Sequence, residues 1–269
     1  MSKFLSITLD LEPDYAGNAP IGYQSCGPER IQQFAALIRK YDIKLTVFVT
    51  GQMLEMDHPA IEALKALGAE FGLHSYSHNI KEADSLEEIQ KGKAAFKAYF
   101  GEAPAGYRAP QGRITSQGMA HLEQEGFCYD SSITPSFWPR IAYLLCPRNP
   151  YYPRNSALLE LPLATVPFCR LTVSLSWIKL LGWPIYAMAL SALPLPRHFI
   201  FYVHMSDFFM PETAYAQLPW RWKMVYARNR DAGIVLFEKF IRLMMRKQYK
   251  FAYVGEVIES IRQELPPPD

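Results

Sequence analysis

Eight short apolar runs punctuate this chain, at residues 4–9, 45–49, 70–73, 106–108, 127–129, 158–163, 199–204 and 251–254. Amphipathic stretches of helical character lie between them. Alternation of this kind constrains a fold strongly, because parallel strands must be joined by long crossovers and helices normally supply them. The pattern therefore predicts an α/β fold with a mainly parallel sheet. Several helix ends are readable directly. Ser85-Leu86-Glu87-Glu88 is a capping box that opens a helix ending near Phe100, with Gly101 as its stop. Pro59 suits a first helical turn, and Gly68 ends that helix before the run leading to His74.

A chain of 269 residues fits one large α/β domain over 1–269, with no internal repeat and no low-complexity linker. One region departs from the alternation. From 161 to 196 only Arg170 and Lys179 are charged, and the stretch carries Trp177, Trp183 and Tyr186. It reads as an apolar insertion or covering segment. Its uncharged part, 180–196, is shorter than the ~20 residues of a spanning helix and is broken by Pro184. The last residues, Pro266-Pro267-Pro268-Asp269, read as a frayed tail.

A net charge of +2 gives no reason to expect nucleic acid as a partner, and no protein partner is inferred. Cys26, Cys128, Cys146 and Cys169 are scattered without a C-x-x-C pair, as befits reduced thiols. The first residues reach Asp10 and Glu12 too quickly for a secretory leader. The expectation is a cytoplasmic protein, with peripheral contact to the inner membrane face as a further option.

Four segments place polar groups at the ends of apolar runs, where a parallel α/β sheet assembles its sites. In Thr8-Leu9-Asp10-Leu11-Glu12, two carboxylates two residues apart on extended backbone point the same way and could meet one ion or one water; an acidic loop is the alternative. In His74-Ser75-Tyr76-Ser77-His78, two imidazoles four residues apart would share one face of a helical turn and could bind one cation. Two His and a carboxylate suit Zn²⁺ first, with Co²⁺, Ni²⁺ and Fe²⁺ as alternatives. Arg108, in Tyr107-Arg108-Ala109-Pro110-Gln111-Gly112, could hold a carboxylate through a bidentate bond or be an ordinary surface residue before a turn. His204 closes a nearly wholly apolar run and is either a satisfied core residue or a proton donor.

Taken together and in this order, the four segments resemble the polysaccharide deacetylase family, the NodB-homology group. His74-Ser75-Tyr76-Ser77-His78 is similar to its second motif, Arg108-Ala109-Pro110-Gln111-Gly112 to its third, and Val203-His204 to the end of its fifth. The resemblance implies a distorted, incomplete (β/α) barrel with the site at one mouth. It implies Asp10 as general base, His74 and His78 as metal ligands, Arg108 as the group that orients Asp10, and His204 as general acid. Two departures stand out. The family's adjacent Asp-Asp is here Asp10-Leu11-Glu12, so Glu12 must supply the metal carboxylate, a spacing that lipid-linked sugar deformylases resemble. The fourth motif is met only in part by Asp130-Ser131-Ser132, with Trp138 displaced; the expectation is that Asp130 pairs with His204.

The implied activity is metal-dependent hydrolysis of the N-acyl group of an amino sugar. Two other possibilities are an amidase for a cyclic ureide or other small C–N compound, and a non-catalytic glycan-binding domain. The run from Trp220 to Arg230 alternates aromatic and basic residues, which suits an anionic bilayer surface, with 171–195 as an inserted face. A helix pair that merely covers the barrel is the other reading of the same residues. With a cytoplasmic location, the expected substrate is a lipid-linked or soluble precursor sugar.

Overall fold

The computed structural model describes residues 2–16, 19–154, 156–218 and 220–265. The tail from Pro266 to Asp269 lies outside them, as do Pro219 and the side chains of Arg221, Trp222, Val225 and Tyr226 within the basic-aromatic run.

In chain order the strands are β1 (Lys3–Leu11), β2 (Asp14–Ala16), β3 (Ala19–Gly22), β4 (Leu45–Val49), β5 (Glu70–Leu73), β6 (Gly106–Tyr107), β7 (Tyr129–Asp130), β8 (Leu159–Glu160), β9 (His198–His204) and β10 (Tyr249–Phe251). All but β2 and β3, which form a small antiparallel hairpin, join one eight-stranded sheet. Every pairing in that sheet is parallel. β1 lies at its centre, beside β9 on one edge and beside β10 and then β4 along the other. From β4 the sheet continues through β5, β6 and β7 to β8. It curves until Leu163, just past β8, meets Ile200 of β9 by a lone parallel bridge. The result is the incomplete (β/α) barrel that the family resemblance implied, built on the parallel sheet that the alternation predicted.

β1 shows why the sheet centre is stable. Leu5, Ile7, Leu9 and Leu11 are fully buried against the surrounding helices. Inside the curve, Phe48, Tyr129, Leu159, Leu161, Leu163 and Ile200 form a second apolar cluster. Burying each such side chain contributes about 1.5–3 kcal/mol. Two-sided burial is the usual fate of parallel strands and explains their near-continuous apolar runs.

The helix caps lie where the sequence places them. The helix Leu86–Phe100 opens on Ser85, whose hydroxyl accepts the Glu88 N–H, and closes on Gly101 at φ 82°. The helix Pro59–Lys65 has its proline in the first turn. The apolar stretch becomes two short helices, Leu175–Leu181 and Trp183–Ala192, divided at Gly182. Trp177 and Trp183 are packed partly into the core, while Ile185 and Met188 are exposed. Among the described residues, no helix is long and apolar enough to cross a membrane.

Because all strands of the sheet run the same way, their carboxyl ends open on one face. Glu12 follows β1, His74 follows β5, Arg108 follows β6, Asp130 ends β7 and His204 ends β9.

Candidate metal centre and proton-transfer groups

Glu12, His74 and His78 converge so that their candidate ligand atoms all lie within 4.8 Å of one another. Glu12 Oε2 stands 3.1 Å from His74 Nε2 and 2.5 Å from His78 Nε2. The His74 Nδ1–H donates to the Arg108 carbonyl at 2.8 Å, since a carbonyl only accepts. That bond fixes the tautomer and leaves the Nε2 lone pair facing Glu12. His78 is buried, and neither of its ring nitrogens has a hydrogen-bond partner; its short approach to Glu12 lacks hydrogen-bond alignment. Buried imidazole nitrogens are normally satisfied. Two imidazole nitrogens and a carboxylate aimed at a common point, one histidine otherwise orphaned, fit a divalent cation.

The two histidines do not lie on a helical turn, contrary to the spacing argument. Past β5 the backbone loops, with Ser75 at φ 59° and His78 at φ 61° in the left-handed region. The Ser75 hydroxyl accepts the His78 N–H at 3.0 Å, and Glu88 Oε1 accepts both the N–H and the hydroxyl of Ser77 at 2.6 Å. Glu88 is the acidic member of the capping box read in the sequence. Its carboxylate reaches into the histidine loop, which sets the angle at which both rings enter the site.

Beside the triad sits a second carboxylate. Asp10 Oδ1 accepts from Arg108 Nη1 at 2.7 Å, and the same nitrogen donates to Thr8 Oγ1. Arg108 is 1% exposed. Its Nε and Nη2 donate to the carbonyl and hydroxyl of Ser131, and its guanidinium lies 4.1 Å from the Phe48 ring centre. A fully fastened guanidinium leaves Asp10 one free oxygen, Oδ2, which lies 3.8 Å from His204 Nε2. The turn after Arg108 requires its glycine. Gly112 has φ 62°, and a Cβ there would meet the Ser132 carbonyl at 2.6 Å.

Residues 2–129 match the family model for polysaccharide deacetylases. Residues 2–129 thus belong to the polysaccharide deacetylase family. Over 95 residues the chain is 32% identical to a peptidoglycan deacetylase-like protein of Gibberella zeae, an overlap of 34% of this chain and 28% of that protein. Over 134 residues it is 28% identical to a peptidoglycan deacetylase of Helicobacter pylori, covering 44% of this chain and 46% of that one. The match therefore spans less than half the length of either relative. Solved structures carry the likeness of fold along nearly the whole chain. A probable polysaccharide deacetylase from Pseudomonas aeruginosa PAO1 superposes with a TM-score of 0.65 at 16% identity, over 98% of this chain and 92% of that one. Puue allantoinase does so with 0.64 at 15%, over 98% and 91%.

Within this polysaccharide deacetylase fold, one expected pairing is replaced. Asp130 does not face His204. It is the register partner of Glu160 on β8, and its carboxylate accepts from the hydroxyl and N–H of Ser132. Burial and the charge of Asp130 push the Glu160 carboxyl well above the usual range. The carboxylate at His204 is Asp207. Its Oδ2 accepts from His204 Nδ1 at 3.2 Å and from the His204 backbone N–H at 2.9 Å, while Oδ1 accepts from Ser176 Oγ. Asp130 ends β7, which β8 separates from β9, whereas Asp207 sits one turn beyond His204 itself. The signal was available in His204-Met205-Ser206-Asp207, a residue at a helix start with an acid three positions on.

The charges of the site reinforce each other. Burial alone would discourage charge on Glu12, but His78, His74 and His204 outweigh it and hold that carboxyl well below its ordinary value. Burial likewise opposes charge on His204, yet the bond to Asp207 and the charges of Glu12, Asp207 and Asp10 push it up to about 10. Asp207 is held down in turn: burial is outweighed by His204 and by Lys179, whose Nζ donates to the Asp207 carbonyl.

Proposed function

We propose that this protein hydrolyses the N-acyl amide of an amino sugar, with a divalent cation, Zn²⁺ first among candidates, held by Glu12, His74 and His78. The observation that carries the reading is the juxtaposition of that ligand triad with Asp10 and His204, whose free atoms face each other at 3.8 Å. The names of the peptidoglycan deacetylase relatives support it.

A bound cation would supply Lewis acidity and lower the pKa of water beside it. The protein's own groups do the rest. Asp10 Oδ2 accepts the proton of the water that attacks the acyl carbon, while Arg108 holds the other oxygen and fixes the carboxylate plane. An amine departs only when protonated. His204, its Nδ1–H engaged by Asp207, presents Nε2–H to the leaving nitrogen. Asp10 therefore acts in its ionised form and His204 in its cationic form.

The substrate we infer is a lipid-linked or precursor sugar presented at a membrane face. The carboxylate spacing of Asp10-Leu11-Glu12 and the apolar segments at 161–196 and around Trp220 support it. Metal-loaded protein incubated with N-acetyl and N-formyl amino sugars, free and lipid-linked, should release the free amine, read by product mass, with the lipid-linked forms preferred. Release from a cyclic ureide and from none of the sugars would overturn the reading.

A further inference from the structure

Between Asp130 and Asp207 the chain has one acidic residue, Glu160, and that side chain is buried. Its first part, 131–170, carries Arg140, Arg148, Arg154 and Arg170 and no lysine. Among the described residues none of these four forms an ion pair. Arg140 donates to the Ile114 carbonyl, Arg148 to the hydroxyl and carbonyl of Thr165, and Arg170 to the Cys146 carbonyl. Neutral acceptors position these guanidinium groups without cancelling their charge.

Large apolar side chains stand exposed beside them. Phe137, Trp138, Ile141, Leu145 and Phe168 are 51%, 46%, 77%, 89% and 83% exposed. The bond from Arg170 to Cys146 joins the turn bearing Phe168 to the segment bearing Ile141 and Leu145. Phe137 packs edge-on against Trp177 at 5.9 Å between ring centres. The patch also touches the mouth of the site. Its loop leaves the carboxyl end of β7, on the face where Glu12, His74, Arg108 and His204 emerge. Trp177 follows Ser176, which bonds Asp207.

We infer that this rim, Phe137 to Leu145 with Phe168, docks on an anionic bilayer and opens the site toward its headgroups. Apolar and aromatic side chains flanked by uncompensated arginines, with no exposed acid on the segment, match the depth profile of such a surface. A protein groove would satisfy the apolar groups but gives no reason for the missing acids. This inference deepens the membrane-facing reading above and rests on it, while placing the contact away from the Trp220 run, where Arg230 is already paired with Glu212.

Co-sedimentation tests it, using phosphatidylcholine vesicles with and without phosphatidylglycerol. Wild-type protein should pellet with the phosphatidylglycerol vesicles and be released in part by salt. The triple variant Ile141→Ser, Leu145→Ser, Phe168→Ser changes only side chains that are mostly in water. It should bind about 10-fold more weakly or worse, with melting temperature and turnover of a soluble N-acyl sugar unchanged. Should that variant fail to fold, Leu145→Ser alone serves, with a smaller loss. Equal binding by wild type and variant would overturn the rim and leave the membrane-facing reading standing. Wild-type protein that pellets with neither vesicle would overturn both. Equal binding to both vesicle types would overturn the anionic partner. A dimer that the triple variant converts to monomer, without vesicle binding, would assign the rim to self-association instead. Deacylation is read separately and does not depend on any of these outcomes.

Discussion

His204 Nδ1 and Asp207 Oδ2 lie 3.2 Å apart, and the same oxygen also takes the His204 backbone N–H. The contact fixes the ring orientation and points Nε2 at Asp10. Asp207→Asn keeps the shape and removes the charge. Turnover of an amide should fall roughly 10- to 100-fold, a share of the ~10²–10⁴-fold that a positioned proton donor contributes. An activated ester, whose leaving group needs no proton, should be cleaved at nearly the wild-type rate. Paired rate measurements on the two substrates check this; equal losses would show that Asp207 only holds the fold.

The raised pKa of His204 also sets a pH dependence. With the folded value near 10 and the ordinary value 6.5, its stabilising charge is fully present below 6.5 and is lost as pH rises through about 10. Metal-free protein should therefore lose thermal stability between those values. His204→Gln should flatten that part of the profile. A cation on Glu12 offsets one of the charges that raise His204, so the basic limb of activity in loaded protein should fall below 10. Melting and rate profiles against pH measure the two effects separately.

Arg108 is nearly inaccessible, and its guanidinium bonds Asp10, Thr8 and Ser131 together. Arg108→Leu leaves Asp10 as a buried charge without its partner, which should cost about 3–5 kcal/mol of stability. Arg108→Lys should rescue little, because one ammonium cannot reproduce a forked set of donors. Urea unfolding of the two variants gives both numbers.

The alternation of apolar runs made the parallel sheet readable, and with it the face on which the site assembles. Asp10, Glu12, His74, His78, Arg108 and His204 were candidates as polar groups at the ends of apolar runs, and only the resemblance of the four segments, taken in order, gave them roles. What was hidden is instructive. The geometry of His74 and His78 depends on two left-handed residues, Ser75 and His78, that spacing alone cannot reveal. A regular helix period was the wrong ruler for that loop. Asp130 was expected as the partner of His204 because its segment partly meets the family's fourth motif. The sheet instead carries it to β8, and a carboxylate three residues from His204 takes the place. The strand ends also moved: β8 stops at Glu160, although the Leu161 N–H still bonds the Asp130 carbonyl and Leu163 bridges to Ile200.

We propose a division of labour between two carboxylates two residues apart, Glu12 for the cation and Asp10 for the proton. Metal content and turnover measured on the same purified samples of Asp10→Asn and Glu12→Gln test it most directly. Asp10→Asn should bind metal at close to the wild-type stoichiometry and show no measurable deacylation. Glu12→Gln should lose metal and activity together, as His74→Ala and His78→Ala should. Metal lost from Asp10→Asn, with metal and activity both retained in Glu12→Gln, would contradict the account.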